Sequence, residues 1–490
     1  MASRDPNRPN IIFILSDDQG YWAMGCAGNG EIRTPNLDRL AATGLHFENF
    51  FCASPVCSPA RATILTGRIP SQHGIHDFLR AGNSPVEQDH QGEVIEYLAG
   101  QPAYTETLVA QGYSCGLSGK WHMGHSHQPQ KGFTFWNVHA LGAGPYYNAP
   151  MIQAGDIYRP EGYVSDVITN NALDFLAAQQ AGAEPFCLHV HYTAPHAPWD
   201  RHEHPPELYD DYFNHCSFDS APNLPVHPQQ LYKPDQVGRN EAERRAVLSG
   251  YYAAVTAMDA NIGRLLDWLE ENGLRENTLI VFSSDNGMSM GHHGIYGKGN
   301  GTFPPNMFDT AVKVPTLMSR PGHVPQGQVC RALLSHYDIA PTLLDYLGFD
   351  QTMGQDLPGQ SFAGLLRGQA ELEREAVVVY DEYGPTRMIR TQEWKYIHRY
   401  PYGPHELYHL AADPDEADNL IDSQAHQTMR ADLLGRLETW FVRYVDPMLD
   451  GAHEAVMGRG QLDLAGPQSE GRKRFGDDLV YDGDRPPGTR

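Results

Sequence analysis

Cysteine is scarce and poorly placed for cross-linking. The seven in 490 residues fall at 26, 52, 57, 115, 187, 216 and 330, with neither a C-x-x-C zinc pair nor the even spacing of a disulfide framework. A reducing compartment is the default expectation. No run of eighteen apolar residues occurs, so no membrane-spanning helix is expected. The opening "MASRDPNRPN" lacks an apolar signal core, which makes a cytoplasmic location the default, although an export signal trimmed from a precursor would leave no trace. Positive charge is also in short supply. Against 60 Asp plus Glu there are 36 Lys plus Arg, a net charge of -24, which argues against a DNA or RNA backbone as partner. An anionic substrate then requires a local concentration of cations.

What is present is the texture of a globular α/β protein, with 41% hydrophobic and 10% aromatic residues. Four short apolar runs read as buried parallel strands: "NIIFIL" at 10–15, "YSCGL" at 113–117, "PFCLHVHY" at 185–192 and "NTLIVFS" at 277–283. Helices are expected between them. In "TPNLDRLAATG", Thr34 is placed as cap, Pro35 at the first helical position and Gly44 as stop, while "AVLSGYYAAVTAMDANIGRLLDWLEENG" shows helical spacing up to Gly273. The expected fold is a large, doubly wound, mostly parallel sheet flanked by helices. From about residue 373, "AVVVYDEY", "RMIRTQEWKYIHRY" and "HELYHLAADPDEADNL" suggest short antiparallel strands, followed by the helical "MRADLLGRLETWFVRYV". The division expected is a catalytic α/β domain at 1–372 and a smaller subdomain at 373–490. The latter ends in a polar, Pro/Gly-rich tail that is either disordered or draped over a neighbour. No internal repeat is visible.

In open α/β sheets ligands bind beyond the carboxyl ends of the strands, so the residues there are inspected first. The first strand ends in Asp17 and Asp18, and the second leads into "GKWHMG" with Lys120 and His122. The third leads into "TAPHAPW" with His196, and the fourth ends in Asp285 and Asn286. Asp17, Asp18, Asp285 and Asn286 offer oxygen donors alone, which suits calcium or magnesium rather than zinc or copper. Either acidic pair alone reads more readily as turn or cap residues, and it is the two pairs at two strand ends that point to a metal.

In "PVCSPARATILTG" Pro59 suits the first turn of a helix, which puts Cys57 at or just before a helix N-terminus, where backbone N–H groups favour anions, and Arg61 one turn on. Taken alone, the cysteine reads as a small buried hydrophobe. Its surroundings point elsewhere. "CSPAR", continuing as "ATILTGRIPSQHG", resembles the signature of type I, formylglycine-dependent sulfatases of the alkaline phosphatase-like superfamily. "NIIFILSDDQG", "TPNLDRLAATGLHFENF", "GYSCGLSGKWHMG", "HYTAPHAPW", "SSDNG", "HHGIYGKG" and "ELYHLAADPDEADNL" resemble further sulfatase segments in the family's order, over roughly 10–420. Two departures stand out. Ala60 lies where many members have Ser, and "GHHG" replaces a pattern with an acidic residue before the second His, so His292 is read as a polar loop residue.

The resemblance implies that Cys57 is oxidised to Cα-formylglycine by a maturation enzyme. It also implies that one calcium ion, with magnesium as the alternative, is held by Asp17, Asp18, Asp285, Asn286 and modified Cys57. Arg61, Lys120, His122, His196 and Lys298 would surround the sulfate. The implied reaction is hydrolysis of a sulfate ester to alcohol and inorganic sulfate. One hydroxyl of the formylglycine diol attacks sulfur and the other later expels sulfate, with His122 assisting that elimination. His196, together with Lys298, protonates the departing alcohol. Competing readings are a formylglycine-dependent phosphonate monoester or phosphodiester hydrolase and a non-catalytic protein that binds sulfated ligands. A two-zinc phosphatase would need a Ser or Thr nucleophile and more His/Asp ligands than can be placed. The favoured substrate is an O-sulfated carbohydrate, because the stretches 76–105, 125–160 and 199–235 are rich in His, Tyr, Trp and Pro and offer stacking surfaces for a sugar ring. No nucleic-acid or membrane partner is expected, and the tail offers a route to oligomers.

Overall fold

The computed structural model describes residue 5 and residues 7–84, 94–180, 182, 184–231, 240–350, 353–354, 356–369, 372 and 374–477. At its centre, five strands run parallel: Asn10–Ser16 (β1), Ser114–Lys120 (β3), Phe135–His139 (β4), Phe186–His191 (β7) and Thr278–Ser284 (β8). Leu45–Phe47 (β2), Met151–Gln153 (β5), Asp156–Tyr158 (β6), Thr316–Ser319 (β9) and Gln328–Cys330 (β10) complete a ten-stranded sheet in the order β10-β2-β9-β8-β1-β7-β3-β4-β5-β6. All four expected strands are present, each within three residues of its expected end.

Strand β1 shows why the sheet is covered on both sides. Its alternate residues point to opposite faces, as the two-residue period of a strand requires. Ile11, Phe13 and Leu15 join a core with Ala62, Ile64 and Leu65 of helix Cys57–Thr66 (α2). Ile12 and Ile14 join a second core with Leu37 and Leu40 of Pro35–Ala42 (α1), Phe175 of Val164–Gln179 (α3) and Ile262 of Glu241–Glu271 (α4). A strand apolar at every position is buried on both faces, and the fold is the doubly wound α/β expected.

Two helix boundaries differ from expectation. Thr34 is the N-cap residue of α1 without making a side-chain cap bond, and its Oγ1 accepts instead from the Gly25 N–H at 2.8 Å. The helix ends at Ala42, and Gly44 serves the sheet rather than the stop, because a Cβ there would lie 2.2 Å from the carbonyl oxygen of Met318 in β9. Helix α4 begins earlier than its apolar pattern suggested. Asn240 caps it, accepting from the Glu243 N–H at 3.0 Å, so the charged stretch from Glu241 to Arg245 forms its first turn and a half.

Beyond the large sheet lies a four-stranded antiparallel one, Val377–Asp381 (β11), Thr386–Arg390 (β12), Trp394–Arg399 (β13) and Glu406–His409 (β14), in sequential order. Helix Gln427–Tyr444 (α5) packs on it through Leu433, Leu437 and Phe441. Buried Lys395 of β13 joins this sheet to the larger part of the chain, with Nζ 2.5 Å from both Asp309 Oδ1 and Glu416 Oε1. Of the tail, Phe475 bridges to Gln461 and lies against His76 of its own chain, ring centroids 6.5 Å apart, and 478–490 lie outside the described residues.

Candidate active site

The parallel strands end at one level. Ser16 of β1 pairs with Ser284 of β8, Leu15 with His191 of β7, and His191 with Gly119 of β3. The residues that follow therefore meet. Asp18 and His122 both adopt left-handed backbone, with φ of 64° and 54°, a conformation that is uncommon outside glycine and that gathers at functional sites.

Asp17 and Asp285 are completely buried and Asp18 nearly so. Their charge is met by three cations. Lys120 Nζ lies 2.5 Å from Asp17 Oδ2, Arg61 Nε donates to Asp285 Oδ2 at 2.9 Å, and Lys298 Nζ donates to Asp18 Oδ1 at 2.6 Å. Asn286 Nδ2 also donates to Asp18 Oδ1, at 2.8 Å. Burial tends to raise the Asp285 carboxyl, but Arg61 and Lys120 outweigh it and hold that group well below the usual carboxylate range. For Asp18, Lys298 likewise overcomes burial. Asp17 goes the other way. Burial, then the neighbouring Asp285, pushes it up to about 6 despite the contact with Lys120.

That imbalance suits a bound cation. Asp17 Oδ1 and Asn286 Oδ1 are buried with no hydrogen-bond partner among the described residues, and an unpartnered buried oxygen is costly unless something else binds it. An all-oxygen donor set fits a hard divalent ion. Ligand atoms of Asp17, Asp18 and His196 also lie within 4.8 Å of one another, with His196 Nε2 at 3.6 Å from Asp18 Oδ2.

Cys57 is the first residue of α2, with Val56 as its N-cap. Its Sγ lies 3.4 Å from Nδ1 of His122. His122 Nε2 faces the carbonyl oxygen of Leu79 at 2.9 Å. A carbonyl can only accept, so Nε2 carries the proton and Nδ1 presents a lone pair toward residue 57. Burial, reinforced by Lys120, holds His122 well below the ordinary imidazole range and keeps it neutral. The fit is close: a Cβ on Gly142 would lie 2.2 Å from His122 Nε2. In His196 the protonation is reversed, since Nδ1 donates to the Ala197 carbonyl at 2.7 Å and leaves Nε2 facing the carboxylates.

All ten residues singled out from the sequence thus fall in one cluster: Asp17, Asp18, Cys57, Arg61, Lys120, His122, His196, Asp285, Asn286 and Lys298. His292 lies in a short loop segment, half-buried, with its ring packed against Trp22 at 4.7 Å between centroids. The supporting residues were missed. Tyr251 of α4 accepts from the Gly20 N–H at 3.0 Å and donates to the Asp18 carbonyl at 3.1 Å. A buried chain runs from the Tyr104 hydroxyl to His189 Nε2 at 2.7 Å, from His189 Nδ1 to His191 Nε2 at 3.0 Å, and from His191 Nδ1 to the Lys120 carbonyl at 3.0 Å. Arg61 Nη1 donates to that same carbonyl at 3.0 Å. Only the alternation of His189 and His191 in a strand hinted that they share a face. Part of the expected aromatic lining also proves internal. Tyr146 is buried, stacks on Tyr163 and donates to the His196 carbonyl at 2.7 Å. Residues 85–93 and 232–235 of the proposed specificity stretches lie outside the described residues.

A doubly wound sheet whose strand ends carry an oxygen-rich metal cradle, three cations and a helix-terminal cysteine beside a histidine defines a hydrolase of anionic esters. Known proteins narrow the class. The sulfatase family profile matches residues 9–349, and the profile described as N-sulphoglucosamine sulphohydrolase, C-terminal, matches 291–442. The chain belongs to the sulfatase family and is a sulfuric ester hydrolase. It is 28% identical to an N-acetylglucosamine-6-O-sulfatase of Bacteroides thetaiotaomicron over 94% of this chain and 91% of that one. It is 31% identical to an ulvan-active sulfatase of Formosa agariphila over 88% and 81%. A solved structure in complex with its substrate D-glucosamine-2-N,6-O-disulfate matches with a TM-score of 0.72 and 26% identity, over 91% of this chain and all of that one.

Proposed function

We propose that this sulfatase removes sulfate from an O-sulfated carbohydrate, with Cys57 converted to formylglycine and calcium as the bound ion. The observation that carries this reading is the placement of Cys57 Sγ at a helix N-terminus, 3.4 Å from an unprotonated His122 nitrogen. The relatives named for N-acetylglucosamine-6-O-sulfate and ulvan, and the solved structure with a disulfated glucosamine, support a sugar as the alcohol part.

The hydrate of formylglycine supplies one hydroxyl to attack sulfur and a second whose deprotonation lets the C–O bond to sulfate break and the aldehyde return. Asp17, Asp18, Asp285 and Asn286, with residue 57, would hold a divalent ion, which when bound would supply charge neutralisation and lower the pKa of the attacking hydroxyl. The chain's own residues do the rest. Arg61, Lys120 and Lys298 cancel the charge that would otherwise keep an anionic group out of an acidic protein. His122 Nδ1 accepts the proton of the second hydroxyl. His196, as the imidazolium, delivers the proton on Nε2 to the departing alcohol, while its Nδ1–H stays anchored on Ala197. Lys298 assists at the same oxygen.

Cys57 is 3% exposed and Arg61 1%, so a maturation enzyme must read the "CSPAR" segment before the fold closes over it. The mass of the peptide containing residue 57 tests the reading first, since conversion of cysteine to formylglycine removes about 18 Da. Loss of that mass, with release of inorganic sulfate from sulfated sugars, supports it. A thiol that persists after co-expression with a maturation enzyme overturns it in favour of ligand binding without turnover. Faster turnover of aryl phosphonate than aryl sulfate by converted protein overturns the choice of substrate.

A further inference from the structure

We propose that the C-terminal segment around Gln461 is a positioning element for catalysis, acting on His122 through the carbonyl of Leu79. This deepens the reading above and rests on His122 as the base.

The orientation of His122 depends on one carbonyl. The Leu79 oxygen accepts from His122 Nε2 and from Asn83 Nδ2, each at 2.9 Å. Both of its lone pairs are used. The Leu79 N–H donates to Ser58 Oγ at 3.1 Å, so this one peptide stretch touches both the residue after Cys57 and the base that serves it.

Residues 74–82 belong to no helix or ladder of the main sheets. Four of their backbone groups are partnered by a single distant residue. The His76 N–H donates to Gln461 Oε1 at 2.8 Å, Gln461 Nε2 donates to the Gly74 carbonyl at 2.9 Å, the Gln461 N–H donates to the Phe78 carbonyl at 2.8 Å and the Arg80 N–H donates to the Gln461 carbonyl at 3.0 Å. Gly460 adds a bond from its N–H to Asp77 Oδ2 at 3.0 Å. Gln461 is completely buried, and its Nε2 also donates to the Asp463 carbonyl at 2.9 Å.

The segment is itself held in place. Gln461 bridges antiparallel to Phe475, the Gly476 N–H donates to the Gly460 carbonyl at 3.0 Å and the Leu462 N–H to the Arg474 carbonyl at 2.7 Å. Residues 456–476 thus form a strap that supplies the ladder which 74–82 lacks. It lies beyond the residues matched by either family profile, 9–349 and 291–442. With the strap removed, the Leu79 carbonyl is free to shift, and Nδ1 of His122 loses its fixed aim at residue 57.

The test is a double-mutant cycle on mature full-length enzyme, with deuterium uptake of the 76–82 peptide as a readout independent of activity. Gln461→Ala is expected to speed uptake there, to lower kcat about tenfold, as loss of a partner that orients a functional histidine does, and to leave KM unchanged. In a His122→Ala background the same substitution is expected to change kcat by less than about twofold, the signature of two residues acting through one another. Equal losses in both backgrounds would overturn the route through His122. So would unchanged kcat in Gln461→Ala, with or without faster uptake. If His122→Ala itself retains the wild-type kcat, the reading of His122 as base falls along with the strap. Impaired His122→Ala beside unimpaired Gln461→Ala removes the strap alone. Should Gln461→Ala fail to fold, Gln461→Met fills nearly the same buried volume without a charge and deletes the same side-chain bonds, with the same expectations read on it.

Discussion

His122 Nδ1 stands 3.4 Å from Cys57 Sγ with its lone pair forward, because Nε2 is committed to the Leu79 carbonyl. The imidazole is therefore prepared to take a proton from whatever hydroxyl residue 57 carries. Cys57→Ala is expected to abolish sulfate release while leaving the thermal transition within a few degrees of wild type, since a small buried side chain replaces another. Cys57→Ser should be no better for turnover, because a single hydroxyl lacks the second proton that His122 would accept. Normal turnover by the serine variant, measured as inorganic sulfate released, would rule out the diol.

His196 faces the Asp18 carboxylate through Nε2, at 3.6 Å. If it protonates the leaving alcohol, its value depends on how poor the leaving group is. His196→Ala should slow hydrolysis of sulfated sugars by roughly 10²-fold or more, the size of a general-acid contribution, and barely affect activated aryl sulfates. Equal losses on both substrates would show that His196 only binds the sulfate or the ion.

Removal of the bound ion should destabilise as well as inactivate. Three carboxylates, those of Asp17, Asp18 and Asp285, share one buried site in which Asp17 is already pushed up to about 6 by burial and by Asp285. A chelator is expected to lower the melting temperature and abolish activity, and calcium to restore both. Asn286→Ala, which deletes an oxygen that has no hydrogen-bond partner among the described residues, should weaken the ion's apparent affinity in a metal titration. Restoration by magnesium alone would correct the choice of calcium.

Tyr251 reaches from α4 into the Asp18 turn with one accepted and one donated bond. Tyr251→Phe should cost about 1–3 kcal/mol of stability, the penalty for leaving buried backbone groups unpaired. It should also weaken ion binding, because the left-handed turn at Asp18 loses its support. Denaturant unfolding and the same metal titration would show whether both effects appear together.

Asp77 gives a pH dependence of unusual sign. Burial, with Cys57 nearby, raises its carboxyl from 3.8 to about 7, against the lowering effect of the Phe78 and Gly460 N–H groups. Asp381, also buried, is raised well above its usual value partly by Asp77. A carboxyl raised in the folded state favours folding when protonated. Its contribution is complete below pH 3.8 and is lost as pH climbs through about 7. Asp77→Asn should therefore flatten the dependence of melting temperature on pH between about 4 and 7 relative to wild type. Parallel curves for the two proteins would show that Asp77 ionises normally.

Much of this architecture was legible in the sequence for reasons that are local. A strand buried on both faces favours short apolar runs, so β1, β3, β7 and β8 stood out, although β3 and β7 also bury Lys120, His189 and His191. The residues after them, Asp17-Asp18, Lys120, His122, His196 and Asp285-Asn286, were marked by their position at strand ends. Their chemistry then suggested a cation and an anion. Lys298 and the Cys57 modification rested on resemblance, because a loop lysine and a lone cysteine carry no periodicity. The start of α4 was misplaced because its cap, Asn240, is separated from the apolar pattern by a charged stretch, one of whose arginines, Arg244, is buried only through distant carbonyl partners at Phe218 and Ala221. His292 was read as a polar loop residue, and its packing against Trp22, far away in the chain, has no local signal.

What the sequence by itself determined is the set of reacting groups and the strand ends that carry them, since both follow from hydrophobic period and side-chain chemistry along a short window. Which nitrogen of His122 bears the proton, how the Asp18 turn is pinned by Tyr251, and that Gln461 supports a loop 387 residues earlier were decided by tertiary structure alone. Those are hydrogen bonds between partners far apart in the chain. Their geometry depends on where the folded backbone puts a carbonyl, and no local pattern of residues encodes that.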